Sequence, residues 1–205
     1  MGKITTYRKD IKVMIALASQ STVLARTAFS LVHAVRHVPF DVDMVLRMGC
    51  DIVGSRTWLV KEAIKRGMTH ILFVDHDMYF PPVKTEDGRM ISPIHCLLEH
   101  DKDIIGAPYN FRQLPLKSTA RALEENADLT KPYKVKDMGT GFLLIKTSVF
   151  DKWPKDIQWF LFGRGEDGEL IFGEDAWFCR NAIKLGFDVW CDPILEVKHI
   201  GEYHY

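Results

Sequence analysis

The sequence has no net charge. Its 27 lysines and arginines are matched by 27 aspartates and glutamates. That balance argues against a protein held on a nucleic-acid backbone or an anionic membrane by bulk electrostatics, though it leaves room for a local basic groove. Cysteine is scarce. Cys50, Cys96, Cys179 and Cys191 lie far apart with no C-x-x-C pair, so an iron–sulfur cluster or a cysteine-rich zinc knuckle is not expected. Nothing resembles a disulfide framework either, and the plain expectation is a reducing, cytoplasmic setting. Long apolar runs are missing, so no transmembrane segment is expected. The polar start Met1–Asp10 does not read as a signal peptide, and none is expected. No internal repeat, low-complexity tract or interdomain linker is expected from the sequence. What the chain does have is 205 residues, of which 47% are hydrophobic. That is enough for a packed core, and residues 1–205 are expected to form a single domain.

The order of the apolar segments gives the fold class. Ile11–Ala18 is a near-continuous apolar run, the pattern of a strand buried on both faces. Ser19–Thr22 offers N-cap residues for a helix on which Leu24, Ala28, Leu31 and Val35 recur, ending near His37. Val42–Met48 reads as a second strand and Ser55–Arg66 as a second helix, with Gly67 at its C-terminal stop. Ile71–Val74 is a third strand, ending abruptly in Asp75-His76-Asp77. This alternation predicts an α/β, Rossmann-like fold with a mostly parallel central sheet flanked by helices, and ligands beyond the carboxyl ends of the strands. Further on, a short helix is expected at Pro93–Glu99 and strands at Ile104–Ala107, Gly141–Ile145 and Phe187–Cys191. A helix is expected at Glu174–Leu185 and an extended tail at Ile194–Ile200. Pro108–Asp137 reads as a working loop, and Trp153–Phe172 as an aromatic, glycine-rich excursion that either closes over a ligand or packs on the core.

Several small constellations can carry chemistry. Asp75 and Asp77, at i and i+2 beyond a strand, can both turn toward one hard divalent cation such as Mg²⁺ or Mn²⁺. The alternative is a solvated turn. Glu174 and Asp175 open a helix, either as acidic residues favoured by its dipole or as a general base in a cleft. Gly165-Glu166-Asp167 has the same three letters but no helix directly after it, and ranks lower. Gly139-Thr140-Gly141 would let backbone approach a ligand closely, or is only a turn. His199 is a structural histidine or a third metal ligand. Arg56 is a surface charge or a clamp on a phosphate.

The order of these pieces resembles the GT-A fold glycosyltransferases, in the manner of glycosyltransferase family 2. ILFVDHDMYF is similar to their D-x-D segment, MGTGFLLIKTSVF to their glycine loop, GEDAWFCRNAIKLGF to their helix-opening Glu-Asp motif, and VKHIG to their C-terminal metal histidine. The resemblance covers nearly the whole chain and departs from the family in His76 and in the lack of an obvious acceptor domain. It implies a metal-dependent glycosyltransferase moving a sugar, hexosyl or related, from a nucleotide-sugar donor to an acceptor hydroxyl by inverting displacement. By analogy with metal-dependent relatives the donor is a UDP-sugar. The acceptor is a glycan, a lipid-linked sugar, a protein or a modified nucleobase.

The resemblance also implies residue roles. Asp75, Asp77 and His199 would hold Mn²⁺ or Mg²⁺, and Asp75 would lie near the ribose. Ala18 and Ser19 would cradle the nucleoside, Arg56 would approach the base or diphosphate, and Gly139 and Gly141 would line the donor–acceptor cleft. Asp175 would be the catalytic base and Glu174 would support it or bind acceptor. Arg112, Lys131, Lys134 and Lys136 are further candidates to hold an anionic ligand. Two rivals stay open. A nucleotidyltransferase usually carries a glycine-rich, basic loop after its first strand, and ASQSTVLAR has no glycine and one arginine. The other rival is a non-catalytic nucleotide-binding scaffold of the same fold. Sequence leaves the oligomeric state open.

Overall fold

The computed structural model describes residues 7–36 and 38–201. In chain order the elements are β1 (Lys12–Ser19), α1 (Ala25–Val35), β2 (Asp41–Met48), α2 (Ile52–Lys65), β3 (His70–Asp75), β4 (Met78–Tyr79), β5 (Val83–Lys84), β6 (Met90–Ile91), α3 (Pro93–Glu99) and β7 (Ile104–Gly106). They continue with β8 (Arg121–Ala122), β9 (Tyr133–Asp137), β10 (Phe142–Lys146), α4 (Ser148–Asp151), β11 (Gly163–Arg164), β12 (Leu170–Phe172), α5 (Glu174–Lys184), β13 (Val189–Cys191) and β14 (Lys198–His199).

The expected α/β architecture is present. One sheet of 8 strands runs in the order β2-β1-β3-β10-β7-β13-β9-β8. β2, β1 and β3 are parallel, as are β7 and β13. β10 and β9 run against their neighbours, so the sheet is mixed beyond β3. The continuous apolar run of β1 has its physical reason here. Val13, Ile15 and Leu17 belong to the core under α1 and α3, whereas Met14, Ala16 and Ala18 belong to the core under α2 and α5. A strand covered on both faces has no polar side to show.

Two connections decide where ligands can go. From β1 the chain moves to β2 on one side, then crosses to β3 on the other. The crevice between the carboxyl ends of β1 and β3 is therefore a topological switch point. Ala18 and Asp75 face each other across it in register. β10, being antiparallel, enters the sheet at this same edge and delivers Gly139-Thr140-Gly141 there. At the far end of the chain, β14 pairs with β4 so that His199 opposes Met78, and Ile200 N donates to Asp77 O at 2.8 Å.

Some expectations need correction. α1 is not capped by Ser19–Thr22: its N-cap is Leu24, without a side-chain bond, and Ser19 Oγ instead donates to the Thr22 carbonyl at 2.5 Å. His37, near the expected helix end, lies outside the described residues. α2 starts three residues before Ser55 because the Asp51 carboxylate accepts from Gly54 N at 3.0 Å, so Arg56 sits inside the helix rather than at its start. Pro108–Asp137 is not all loop. Its last residues form β9, whose Tyr-Lys-Val-Lys-Asp alternation is that of a half-buried strand. The Trp153–Phe162 stretch packs inward in part: Trp153 and Phe160 both stack on Phe178, with centroids 5.3 Å apart in each pair.

A short repeat does exist. Thr85-Glu86-Asp87-Gly88 and Gly165-Glu166-Asp167-Gly168 form the same turn, with Gly88 and Gly168 at φ of 81° and 83° and matching bonds from Thr85 N to Arg89 O and from Gly165 N to Glu169 O. Each turn closes a hairpin (β5–β6 or β11–β12) followed by a helix (α3 or α5) and then a sheet strand (β7 or β13). Within this turn Asp167 accepts from Glu169 N at 3.1 Å, a local structural task.

Candidate functional site

The carboxyl edge of the sheet opens into a cavity of about 530 Å³. Ala18, Ser19, Arg56, Asp75, Asp77, Glu174 and His199 all line it, together with His76 and Arg112. Asp175 does not. It faces a second cavity of about 340 Å³, shared with Phe111, Lys117, Arg121 and Asp137. Glu174 lines both, so the first turn of α5 is the partition between them.

Arg56 is the hub of the first cavity. It is only 4% exposed, yet it is a cation. A buried guanidinium needs carboxylate partners, and it has two: one nitrogen pairs with Glu174, the other with Asp75 Oδ1 at 3.0 Å. Burial alone would lower its pKa, but Asp75 and Glu174 outweigh that and raise it. The charge therefore stays in place, tying the D-x-D turn to the N-terminus of α5 from a helix 118 residues before Glu174.

Asp77 is different. It is 1% exposed, and neither of its carboxylate oxygens has a hydrogen bond. One cation and two imidazoles approach without a well-formed hydrogen bond: Arg112 Nη2 lies 2.9 Å and His199 Nε2 3.2 Å from Oδ2, with His76 Nε2 at 3.9 Å. Burial would push this carboxyl up, but the His199 imidazole and the charges of Arg112 and His76 hold it below its usual value of 3.8. A buried, ionised carboxylate beside an imidazole, with no well-formed hydrogen bond to either oxygen, suits a hard divalent cation. Asp75 is held toward Arg56 instead, and among the described residues no three His, Cys, Asp or Glu side chains converge as a ligand set.

Asp175 occupies the second position of α5. Its Oδ1 accepts from Ala176 N at 2.7 Å. Burial and the neighbouring charge of Glu174 raise its pKa above 3.8, outweighing the Ala176 N–H and Arg56. The carboxylate is thus more basic than an ordinary aspartate.

The two glycines of Gly139-Thr140-Gly141 are buried and line neither cavity. Their role is to make room for Tyr109. The Tyr109 hydroxyl accepts from Gly141 N at 2.9 Å, and a Cβ on Gly141 would sit 2.7 Å from that hydroxyl and 2.9 Å from Asp75 Oδ2. Tyr109 is buried, its ring meets His199 edge-on with centroids 5.5 Å apart, and burial, reinforced by Asp75, raises its pKa well above 10.0. Gly141→Ala is expected to cost about 1–3 kcal/mol by overpacking this contact, measured by urea unfolding. Unchanged stability would mean that Tyr109 is free to move aside.

Sequence motifs alone miss Tyr109 and the Arg112–Asp77 contact. Tyr109 follows the carboxyl end of β7, the same edge rule that singles out Asp75. Of the four cations expected to hold an anionic ligand, only Arg112 lines the first cavity. Lys131 and Lys134 pair with Asp128 and Asp188, and Lys136 lines a separate small cavity beside Trp177. A larger cavity of about 1130 Å³ meets the first at Gly49 and Cys50. Its lining includes Trp58, Trp153 and Trp159 but neither Asp75, Asp77, Glu174 nor Asp175, so the candidate chemistry belongs to the smaller cavities. All four cysteines are free, and among the described residues no helix is long and apolar enough to cross a membrane.

No protein-family profile matches the chain, and no curated protein sequence does. Solved structures are similar in fold. A197 from STIV aligns over 94% of this chain and 86% of its own, with a TM-score of 0.60 and 14% identity. GalNAc-T7, crystallised with UDP, GalNAc and Mn²⁺, aligns over 94% of this chain and 44% of its own, with a TM-score of 0.53 and 10% identity. Residues 1–349 of TarS from S. aureus align over 92% of this chain and 60% of that one, with a TM-score of 0.51 and 15% identity. The chain thus has the α/β fold of the GT-A glycosyltransferases, and spans about half the length of the second and third of these structures.

Proposed function

We propose that this protein is a divalent-metal-dependent glycosyltransferase that moves a sugar from a nucleoside-diphosphate sugar, a UDP-sugar by analogy, to an acceptor hydroxyl with inversion. The observation that carries this reading is the pair of cavities divided by the first turn of α5. One holds a buried, ionised Asp77 without a well-formed hydrogen bond, beside His199 and Arg112, and the other holds a carboxylate of raised basicity at Asp175. The fold shared with GalNAc-T7, a protein crystallised with UDP, GalNAc and Mn²⁺, supports it.

In this reading Asp77 and His199, with Asp75 once it turns from Arg56, hold Mn²⁺ or Mg²⁺. A bound cation supplies Lewis-acid neutralisation of the diphosphate. Ala18 and Ser19, at the end of β1, take the nucleoside. Arg112, on an exposed loop, exchanges Asp77 for the diphosphate oxygens, which its planar fork suits. Arg56 keeps its pair with Glu174, which holds the first turn of α5 in place between the two cavities after Asp75 has turned to the metal. Asp175 accepts the proton of the acceptor hydroxyl as its oxygen attacks the anomeric carbon and the bond to the diphosphate oxygen breaks. Proton removal and leaving-group departure then occur on opposite faces of the sugar, which inverts its anomeric centre.

The test is a donor-hydrolysis screen across nucleotide sugars with Mn²⁺. At least one UDP-sugar should be turned over, with activity lost in chelator and in Asp77→Ala. Full activity in chelator, or in Asp77→Ala, would contradict the role assigned to Asp77.

A further inference from the structure

β2 is the edge of the 8-stranded sheet, and β1 is its only sheet partner among the described residues. An eight-residue edge strand is a template for another strand, and sheets normally blunt such edges with charge, proline or a bulge. Here the edge is long, pairs with β1 along its whole length without a register shift, and is apolar on its even-numbered face, its charges (Asp41, Asp43 and Arg47) all lying on the other. Met44, Leu46 and Met48 are 44%, 46% and 54% exposed. By register they lie on the α1 side of the sheet, opposite Ile15, Leu17 and Ser19 of β1.

The backbone has a matching phase. Met44 N donates to the adjacent Asp43 carboxylate at 2.8 Å, on the open side of the strand. The even-numbered residues of β2 therefore turn their N–H and C=O groups to that open edge, since both groups of one strand residue point the same way.

We propose that a second copy of this chain pairs with β2 in antiparallel fashion, about a two-fold axis through Val45, to form a homodimer with one continuous sheet. The sequence Asp-Val-Asp-Met-Val-Leu-Arg-Met is self-complementary about that point. Asp43 falls opposite Arg47 of the second copy, twice by symmetry. Met44 falls opposite Leu46, and Val42 opposite Met48. Met44 and Leu46 face each other in a hydrogen-bonded pair, which agrees with the outward N–H of Met44. Asp43 and Arg47 fall in the non-hydrogen-bonded pair, where side chains come closest. Such an interface is isologous and closes on itself, so it makes a dimer rather than a fibre. Pairing releases Asp43 from capping Met44 N. Asp43 also meets Arg66 at 2.5 Å, and Arg47 lies 4.9 Å over the Trp58 ring within its own chain. Both contacts are at the surface and are exchangeable for a cross-strand pair.

The test is sedimentation equilibrium of the full chain with a charge swap. Wild type should be dimeric at micromolar concentration. Asp43→Arg and Arg47→Asp, each placing like charges opposite one another, should each weaken the dimer about tenfold or more, and the double variant should restore it. Circular dichroism and thermal melting establish that each variant folds. Leu46→Lys, at an exposed position, should give a folded monomer. A monomeric wild type, or a dimer indifferent to both the charge swap and Leu46→Lys, would overturn the proposal. The readout is independent of catalysis and stands if no sugar donor is ever found.

Discussion

Asp175→Asn is expected to lower turnover by about 10²–10⁴-fold, the range for loss of a positioned proton acceptor, while leaving donor affinity almost unchanged. The split follows from the architecture. Asp175 faces the cavity shared with Lys117 and Arg121, whereas the proposed diphosphate groups lie in the cavity shared with Arg56 and Asp77. Asparagine keeps the size and can still accept from Ala176 N, so the helix start survives and only basicity is lost. The pH profile gives an independent check. A base acts only when deprotonated, so kcat/KM should rise with pH through the pKa of Asp175. Burial and Glu174 raise that pKa, which places the acid limb above the usual aspartate value of 3.8. Glu174→Gln removes one of the raising charges and should move the limb to lower pH. Transfer at the wild-type rate by Asp175→Asn would remove Asp175 from the mechanism. Asp167, held in its hairpin turn, would then be the next carboxylate to examine.

Arg56→Ala should have the largest effect on stability, about 3 kcal/mol at neutral pH, measured by urea unfolding. The guanidinium is buried between Asp75 and Glu174, whose side chains are 24% and 13% exposed. Removing it leaves two carboxylates facing each other with no cation between them, and truncating one member of a buried ionic pair costs about 3–5 kcal/mol. The lower end applies because Asp75 keeps part of its surface in water. Arg56→Lys should rescue only part of the loss, since a single ammonium cannot reproduce a planar fork reaching two partners. A loss below about 1 kcal/mol would mean that water replaces the guanidinium in that position.

The parts of the fold legible in the sequence are those with one dominant local signal. β1 and β3 are apolar runs broken by polar residues, and α5 is a helical repeat between Gly173 and Gly186, the latter at φ of 90°. Asp75 and Asp77 stand out because a charged pair ending such a run must lie at the sheet edge. β9 is not legible, because a five-residue alternation among lysines and prolines carries no signal until β13 lies beside it. The start of α2 is misplaced because Asp51, not Ser55, supplies the cap. The glycine pair is recognisable as important but for a different reason: its neighbour is Tyr109, about thirty residues away, and no spacing rule connects them. The two G-E-D segments are alike in letters and differ in the elements behind them. Only Glu174 and Asp175 have a helix at their back and two cavities in front.

The most direct test of the central claim is the melting temperature of the full chain with UDP, GDP or CDP, each with Mn²⁺ and with chelator, for wild type and Asp77→Ala. A ligand that binds only the folded chain raises its apparent stability. If Asp77 helps hold a divalent cation where the diphosphate binds, UDP raises the melting temperature of wild type with Mn²⁺, chelator removes most of the rise, and Asp77→Ala shows none of the metal-dependent part. An equal rise with and without metal, or an undiminished metal-dependent rise in Asp77→Ala, would contradict it.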